Sequence, residues 1–105
     1  MRISFDQGTP APLRTHLIGH NVETAFELGW SNLQNGELLA MAQNSFDLLI
    51  TTDQQLHFQQ DLSGRNLSVL VLMTTSWPRI QLHIPQILEA IDAINPGDYL
   101  ELTLR

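Results

Sequence analysis

Three carboxylates stand where chemistry could occur. Asp6 follows a first β-like segment, Asp53 follows a later one, and Glu37 lies in the first turn of a helical stretch between them. In an open parallel sheet, ligands bind beyond the carboxyl ends of the strands. If the strands ending at Asp6 and Asp53 are neighbours, the three side chains can converge. An all-oxygen cluster suits Mg²⁺ or Mn²⁺ with waters completing the octahedron, and such a metal activates water and offsets charge on a scissile phosphate. Each acid also has a structural role open to it. Asp53 can cap a helix beginning at Gln54, Glu37 can complement a helix dipole with Asn35 as cap, and Asp6 can form an Asx turn ahead of Pro10.

Further polar groups cluster after the central strands. Thr51, Thr52, Thr74, Thr75 and Ser76 could hold phosphate or water, although Thr in strands and Ser before a Pro-led helix are ordinary structure. His16, His20, His57 and His83 share neither a helical face nor the spacing of zinc ligands. With no Gly-rich phosphate loop and no Gly-x-Ser-x-Gly elbow, nucleotide-loop and serine-hydrolase chemistry fall away.

The elements that must position these groups alternate along the chain. Arg2 to Phe5 reads as a strand, Asp6 to Pro10 as a turn, and the next stretch as a short helix through about Leu17, ended at Gly19. His20 to Ala25 reads as a second strand, and Phe26 to Asn35 contains a loop at Gly29-Trp30-Ser31-Asn32. Asn35-Gly36 starts a helix with Leu38, Leu39 and Ala42 on one face. Phe46 to Thr52 and Leu67 to Met73 are continuous apolar strands, the kind expected where both faces are covered. Between them, Asp53 opens a short helix to about Leu62, and Ser63-Gly64 turns the chain. Helical spacing links Ile80, Ile84, Ile87, Leu88, Ile91 and Ile94, with Pro85 expected to kink or split the helix. A turn at Asn95-Pro96-Gly97-Asp98 leads to an edge strand with Leu100, Leu102 and Leu104 alternating. Strands separated by helices imply parallel pairing. The expected fold is an α/β three-layer sandwich with a mainly parallel central sheet, one domain over residues 1–105.

Composition narrows the function. Eleven acids face five bases, all Arg, for a net charge of −6, so the chain has no basic stripe for neutralising a nucleic-acid backbone. Phosphate chemistry would need a metal or a partner. Only 15 % of residues are charged against 43 % apolar, which suits a subunit burying surface in a homo-oligomer or a complex. Without cysteine there is no disulfide framework, thiolate metal site or cysteine nucleophile. The longest apolar run, Val69 to Met73, is far short of a membrane span, and the first residues form no secretory segment. The expectation is a cytoplasmic protein with no membrane partner.

Three motifs carry a family resemblance. Phe5-Asp6-Gln7-Gly8-Thr9-Pro10, Gly36-Glu37-Leu38-Leu39 and Leu49-Ile50-Thr51-Thr52-Asp53-Gln54, in this order and spacing, resemble the short bacterial PIN-like domains. These are relatives of PIN ribonucleases, some of them associated with toxin systems. The resemblance covers essentially the whole chain. It implies a PIN-like fold and a Mg²⁺- or Mn²⁺-dependent site for cleaving RNA, with Asp6, Glu37 and Asp53 as metal ligands and catalytic residues. It also leaves room for a protein partner, an antitoxin or another protein. The chain departs from the family pattern at Gln7, where relatives often carry Glu, and at Thr74-Thr75-Ser76, where PIN nucleases usually add a fourth acid. Three carboxylates favour one metal over a pair.

An anionic substrate needs a local hold on so acidic a chain. Trp77-Pro78-Arg79 is the candidate: Pro78 suits a first helical turn, whose N–H groups face phosphate. Arg79 could add a charge-assisted bond and Trp77 could stack on a base; alternatively Trp77 packs on the sheet and Arg79 is solvated. The candidate substrate contacts are therefore Thr52, Thr75, Ser76, Trp77 and Arg79. Two other functions compete. A receiver-like phosphoacceptor also places acids after its first and third strands, but the chain has no Lys to sense the phosphoryl group. A non-catalytic interaction module would keep the fold and act through a partner.

Overall fold

A computed structural model of the chain describes residues 1–33, 35–56 and 65–104. Five parallel strands form one sheet: β1 (Arg2–Phe5), β2 (Asn21–Thr24), β3 (Leu48–Thr51), β4 (Ser68–Leu72) and β5 (Tyr99–Leu102), in the order β2-β1-β3-β4-β5. The chain steps outward from β1 to β2, then returns across β1 to β3. The strand order therefore reverses between β1 and β3, the switch point at which doubly wound sheets open a crevice.

The apolar runs explain the layers. With a side-chain period of two, Ile3 and Phe5, Leu48 and Ile50, and Leu70 and Leu72 face one core. That core is closed by a 3-10 helix (Ala11–His16), by Ile80 of α3 (Trp77–Gln81), and by Ile87 and Ile91 of α4 (Ile84–Ala93). Leu49, Val69 and Val71 face the other core, under Leu38, Leu39 and Ala42 of α2 (Asn35–Ser45). The result is the three-layer α/β sandwich expected.

Some boundaries differ from the sequence reading. The strand expected over His20 to Ala25 is Asn21–Thr24, and Ala25 opens a helical turn, α1 (Ala25–Leu28), ahead of the loop at Gly29-Trp30-Ser31-Asn32. A capping box forms α1: the Thr24 hydroxyl accepts from the Glu27 amide at 3.2 Å, and Glu27 Oε1 accepts from the Thr24 amide at 3.0 Å. The helix expected across Ile80 to Ile94 is split in two, with Pro85 in the first turn of α4, where its missing N–H costs nothing. Phe46 follows the end of α2 rather than entering β3, its amide bonding the Ala42 carbonyl at 2.8 Å. The helix expected from Asp53 to about Leu62 and the turn at Ser63-Gly64 lie largely outside the described residues, as does His57. No helix among the described residues is long and apolar enough to cross a membrane.

Candidate carboxylate site at the switch point

Asp6 is the first residue past β1, and its amide bonds the Ile50 carbonyl of β3 at 3.3 Å. Phe5 pairs with Ile50 in register, so Thr51 lies next to Asp6 across the two strands. The Thr51 hydroxyl donates to Asp6 Oδ2 and accepts from the Asp53 amide at 3.1 Å. One hydroxyl thus links the Asp6 carboxylate to the backbone of Asp53.

Thr9 holds the other oxygen of Asp6. Its Oγ1 lies 2.7 Å from Asp6 Oδ1 and 2.8 Å from the Ile50 carbonyl. A hydroxyl has a single proton, so it donates to one of these acceptors at a time. The turn is close-packed besides: a Cβ on Gly8 would stand 2.6 Å from Oγ1 of the buried Thr52.

Burial pushes the Asp6 carboxyl above its ordinary range, outweighing the bonds from Thr51 and Thr9 and the amides of Thr9 and Gly8 that favour the charged form. Between the unfolded and the raised folded value, the native state binds more protons than the unfolded one. Asp6 therefore lowers metal-free stability as pH rises through that window, and its effect is constant above it. In EDTA, Asp6→Asn should gain on the wild type as pH rises from about 4 to neutrality. Chemical denaturation across that range measures it. Parallel curves for the two proteins would show that Asp6 carries no such penalty.

Asp53 Oδ1 accepts from the Gln55 amide at 2.9 Å, an Asx turn; the helix expected to follow does not begin at Gln54 and lies largely outside the described residues. The Asp53 charge also reaches Tyr99. Burial first, then the Glu101 carboxylate at 2.9 Å and the charge on Asp53, push the Tyr99 hydroxyl well above the usual phenol range. Glu37 stands exposed in the first turn of α2, because Leu38 and Leu39 take the buried side of that helix. Among the described residues no three His, Asp or Glu side chains are gathered as a metal-holding group, so the expected three-way convergence is not seen.

Two cavities flank Asp6. The larger, about 370 Å³, lies between the 3-10 helix and α1 and is lined by Asp6, Gln7, Thr9, Arg14, Phe26 and Glu27 among others. The smaller, about 170 Å³, reaches Trp30, Leu33 and Leu38, and Asp6 and Gln7 line both. Phe26 is 82 % exposed at the mouth of the larger one. Arg14 pairs with Glu27 at 2.5 Å, and the Thr24 amide and Arg14 together hold that carboxyl below its usual range. Sequence reasoning missed Arg14, Phe26 and Glu27; the legible signal was the Thr24-x-x-Glu27 capping box.

The other expected contacts lie at the carboxyl end of β4. Thr75 is exposed, and Ser76 caps α3 by accepting from the Arg79 amide at 3.3 Å. Trp77 is not an open stacking platform. It packs against the buried core with its ring 5.8 Å from that of His16. At five residues α3 is too short to present a strong dipole, so Arg79, exposed, carries the charge there alone. Thr52 is buried at Gly8 rather than open to a ligand. The cavities around Arg79 share no lining residue with those around Asp6.

The fold and site define a doubly wound α/β domain with a pair of acids past adjacent strands at its switch point. Comparison with known proteins found no family model, no curated protein and no solved structure that matches this chain.

Proposed function

We propose that the chain is a PIN-like, divalent-metal-dependent ribonuclease, with Asp6 and Asp53 holding Mg²⁺ or Mn²⁺. The observation that carries this reading is that the Thr51 hydroxyl links the Asp6 carboxylate to the backbone of Asp53 at the β1–β3 switch point. The donor set fits such an ion. Asp6 is a partly buried carboxylate with no ion-pair partner among the described residues, so its desolvation is offset only by neutral donors. Mg²⁺ commonly takes one or two carboxylates and keeps several waters. Bound there, the cation would polarise a phosphoryl oxygen and lower the pKa of a coordinated water.

The chain's own residues set up the rest. Thr51 and Thr9 fix the two oxygens of Asp6, so its carboxylate is oriented before any ligand arrives. The cavity bordered by Leu38 brings the start of α2 to the same edge, and Glu37 precedes Leu38 by one residue. Glu37 is the third candidate ligand. A phosphoacceptor would share this strand order, but a chain without Lys lacks its phosphoryl-sensing ammonium.

Mn²⁺ should raise the melting temperature relative to EDTA, and more than Mg²⁺ does, following the divalent affinity order. At a hundred times the dissociation constant the gain is about 2.7 kcal/mol. Scanning calorimetry of the full chain, paired with cleavage of labelled single-stranded RNA, checks both halves. Equal melting temperatures with and without Mn²⁺ would sink the metal site, and stabilisation without cleavage would leave a non-catalytic binding module.

A further inference from the structure

The described arginines are not equivalent. Arg2 lies over the Phe46 ring, Arg14 pairs with Glu27, and Arg65 donates to Gln43 Oε1 at 3.2 Å. Arg79 makes one long bond, 3.5 Å to the Leu104 carbonyl. Around it two cavities meet. One, about 400 Å³, is lined by Ser76, Arg79, Leu82 and His83; the other, about 460 Å³, shares Ser76 and Arg79 and adds Thr74 and Thr103. Among the described residues, neither cavity has a side-chain carboxylate in its lining.

The chemistry of the lining is that of an anion site with an apolar wall. The guanidinium, the His83 ring and three hydroxyls can all donate, and the Ser76 oxygen already accepts from the Arg79 amide, which leaves its proton to point outward. His83 stands at the N-cap of α4, yet its side chain makes no capping bond there. Leu82 is 79 % exposed, a large apolar side chain beside the cation. Each cavity falls within the size range of small-ligand sites. Thr74 and Ser76 follow β4 and Thr103 follows β5, so the groove opens on the same carboxyl edge of the sheet as Asp6 and Asp53.

We infer that this groove is a phosphate-binding subsite for single-stranded RNA, with Arg79 and His83 on a backbone phosphate and Leu82 against the adjoining base or ribose. The inference rests on the reading of RNA as substrate. It adds a second foothold, away from the carboxylates, that lets so acidic a chain keep hold of a polyanion.

Fluorescence anisotropy of a labelled short RNA, in Ca²⁺ and across a salt series, tests it. Arg79→Ala should weaken binding roughly tenfold. Its slope of log K against log salt should flatten by about 0.7, one phosphate contact on a single strand. Leu82→Ala should weaken binding without changing the slope. Arg65→Ala removes the same charge near the amino end of β4 and should stay within about twofold of wild type. A nucleoside monophosphate should compete better than inorganic phosphate; equal competition would remove Leu82 from the subsite. If Arg79→Ala binds RNA with unchanged affinity and slope, the groove is overturned and the nuclease reading stands. Arg79-dependent binding with no Mn²⁺-dependent cleavage supports the groove and overturns the nuclease. No RNA binding by the wild type overturns both.

Discussion

Asp6→Asn should abolish Mn²⁺-dependent RNA cleavage, by about a hundredfold or more, while the metal-free protein melts no lower than wild type. The lower bound is the upper end of what losing an outer-shell partner of a metal site costs, and a ligand itself should cost more. Asparagine separates charge from structure at this position. Its Oδ1 can accept from Thr51, and its Nδ2 can donate to Thr9 Oγ1, which frees the single Thr9 proton for the Ile50 carbonyl. The hydrogen-bond network survives and only the negative charge is lost. Thr51→Val is the companion: it keeps the β-branched shape and removes the hydroxyl that joins Asp6 to the Asp53 amide. Its Mn²⁺ affinity should fall by about 10–100-fold with cleavage following. Initial rates on labelled RNA, alongside melting curves with and without Mn²⁺, decide the matter. An Asp6→Asn protein that cleaves at the wild-type rate would make Asp6 a turn residue and nothing more.

How far the sequence exposed this site depends on whether the determining contacts are local. The two central strands were legible because Leu48-Leu49-Ile50 and Val69-Leu70-Val71-Leu72 are short runs apolar at every position, as expected of a strand covered on both faces. The split at Pro85 was legible for the same reason, since a missing N–H is a property of one residue. The α1 turn was not read, although its capping box was present, because four residues leave no room for helical periodicity. Strand order is a different kind of fact. That Thr51 rather than another hydroxyl meets Asp6 follows from the β1–β3 register, which packing settles across a sequence separation of 45. Glu37 was read correctly as lying in a first turn. Which way it faces was decided by the burial of Leu38 and Leu39. The Arg79 groove depends on β5 returning beside β4, so that Thr103 and Leu104 stand next to a residue some two dozen positions earlier.

That return hinges on one turn, and Gly97→Ala should therefore be among the most damaging single changes in the chain. Gly97 adopts a φ of +83°, and a Cβ there would stand 2.8 Å from the Arg65 backbone carbonyl. The left-handed conformation costs an L-residue about 1–2 kcal/mol, and a clash that forces backbone to shift adds about 1–3. Neither partner can yield freely. The Gly97 amide bonds the Asn66 carbonyl at 3.0 Å, the Asp98 carboxylate accepts from the Asn95 amide at 3.0 Å, and Ser68 Oγ donates to the Asn95 carbonyl at 2.7 Å. The turn is thus laced to the strand entering beside it, and displacing it pulls on the β4–β5 register. We expect a loss of about 2–5 kcal/mol, a fall in Tm of roughly 10 °C or more. Gly19 supplies the comparison within the same chain. Its φ is +88°, but nothing lies within 4 Å of an added Cβ, so Gly19→Ala meets only the conformational cost. The difference between the two alanine variants in thermal denaturation isolates the contact with the Arg65 carbonyl. Gly97→Asn sharpens the comparison, because Asn tolerates the left-handed region but still carries a Cβ. If the clash dominates, Asn and Ala at position 97 should be nearly equally harmful. Should Gly97→Ala cost no more than Gly19→Ala, the close approach that sets β5 beside β4 is not there.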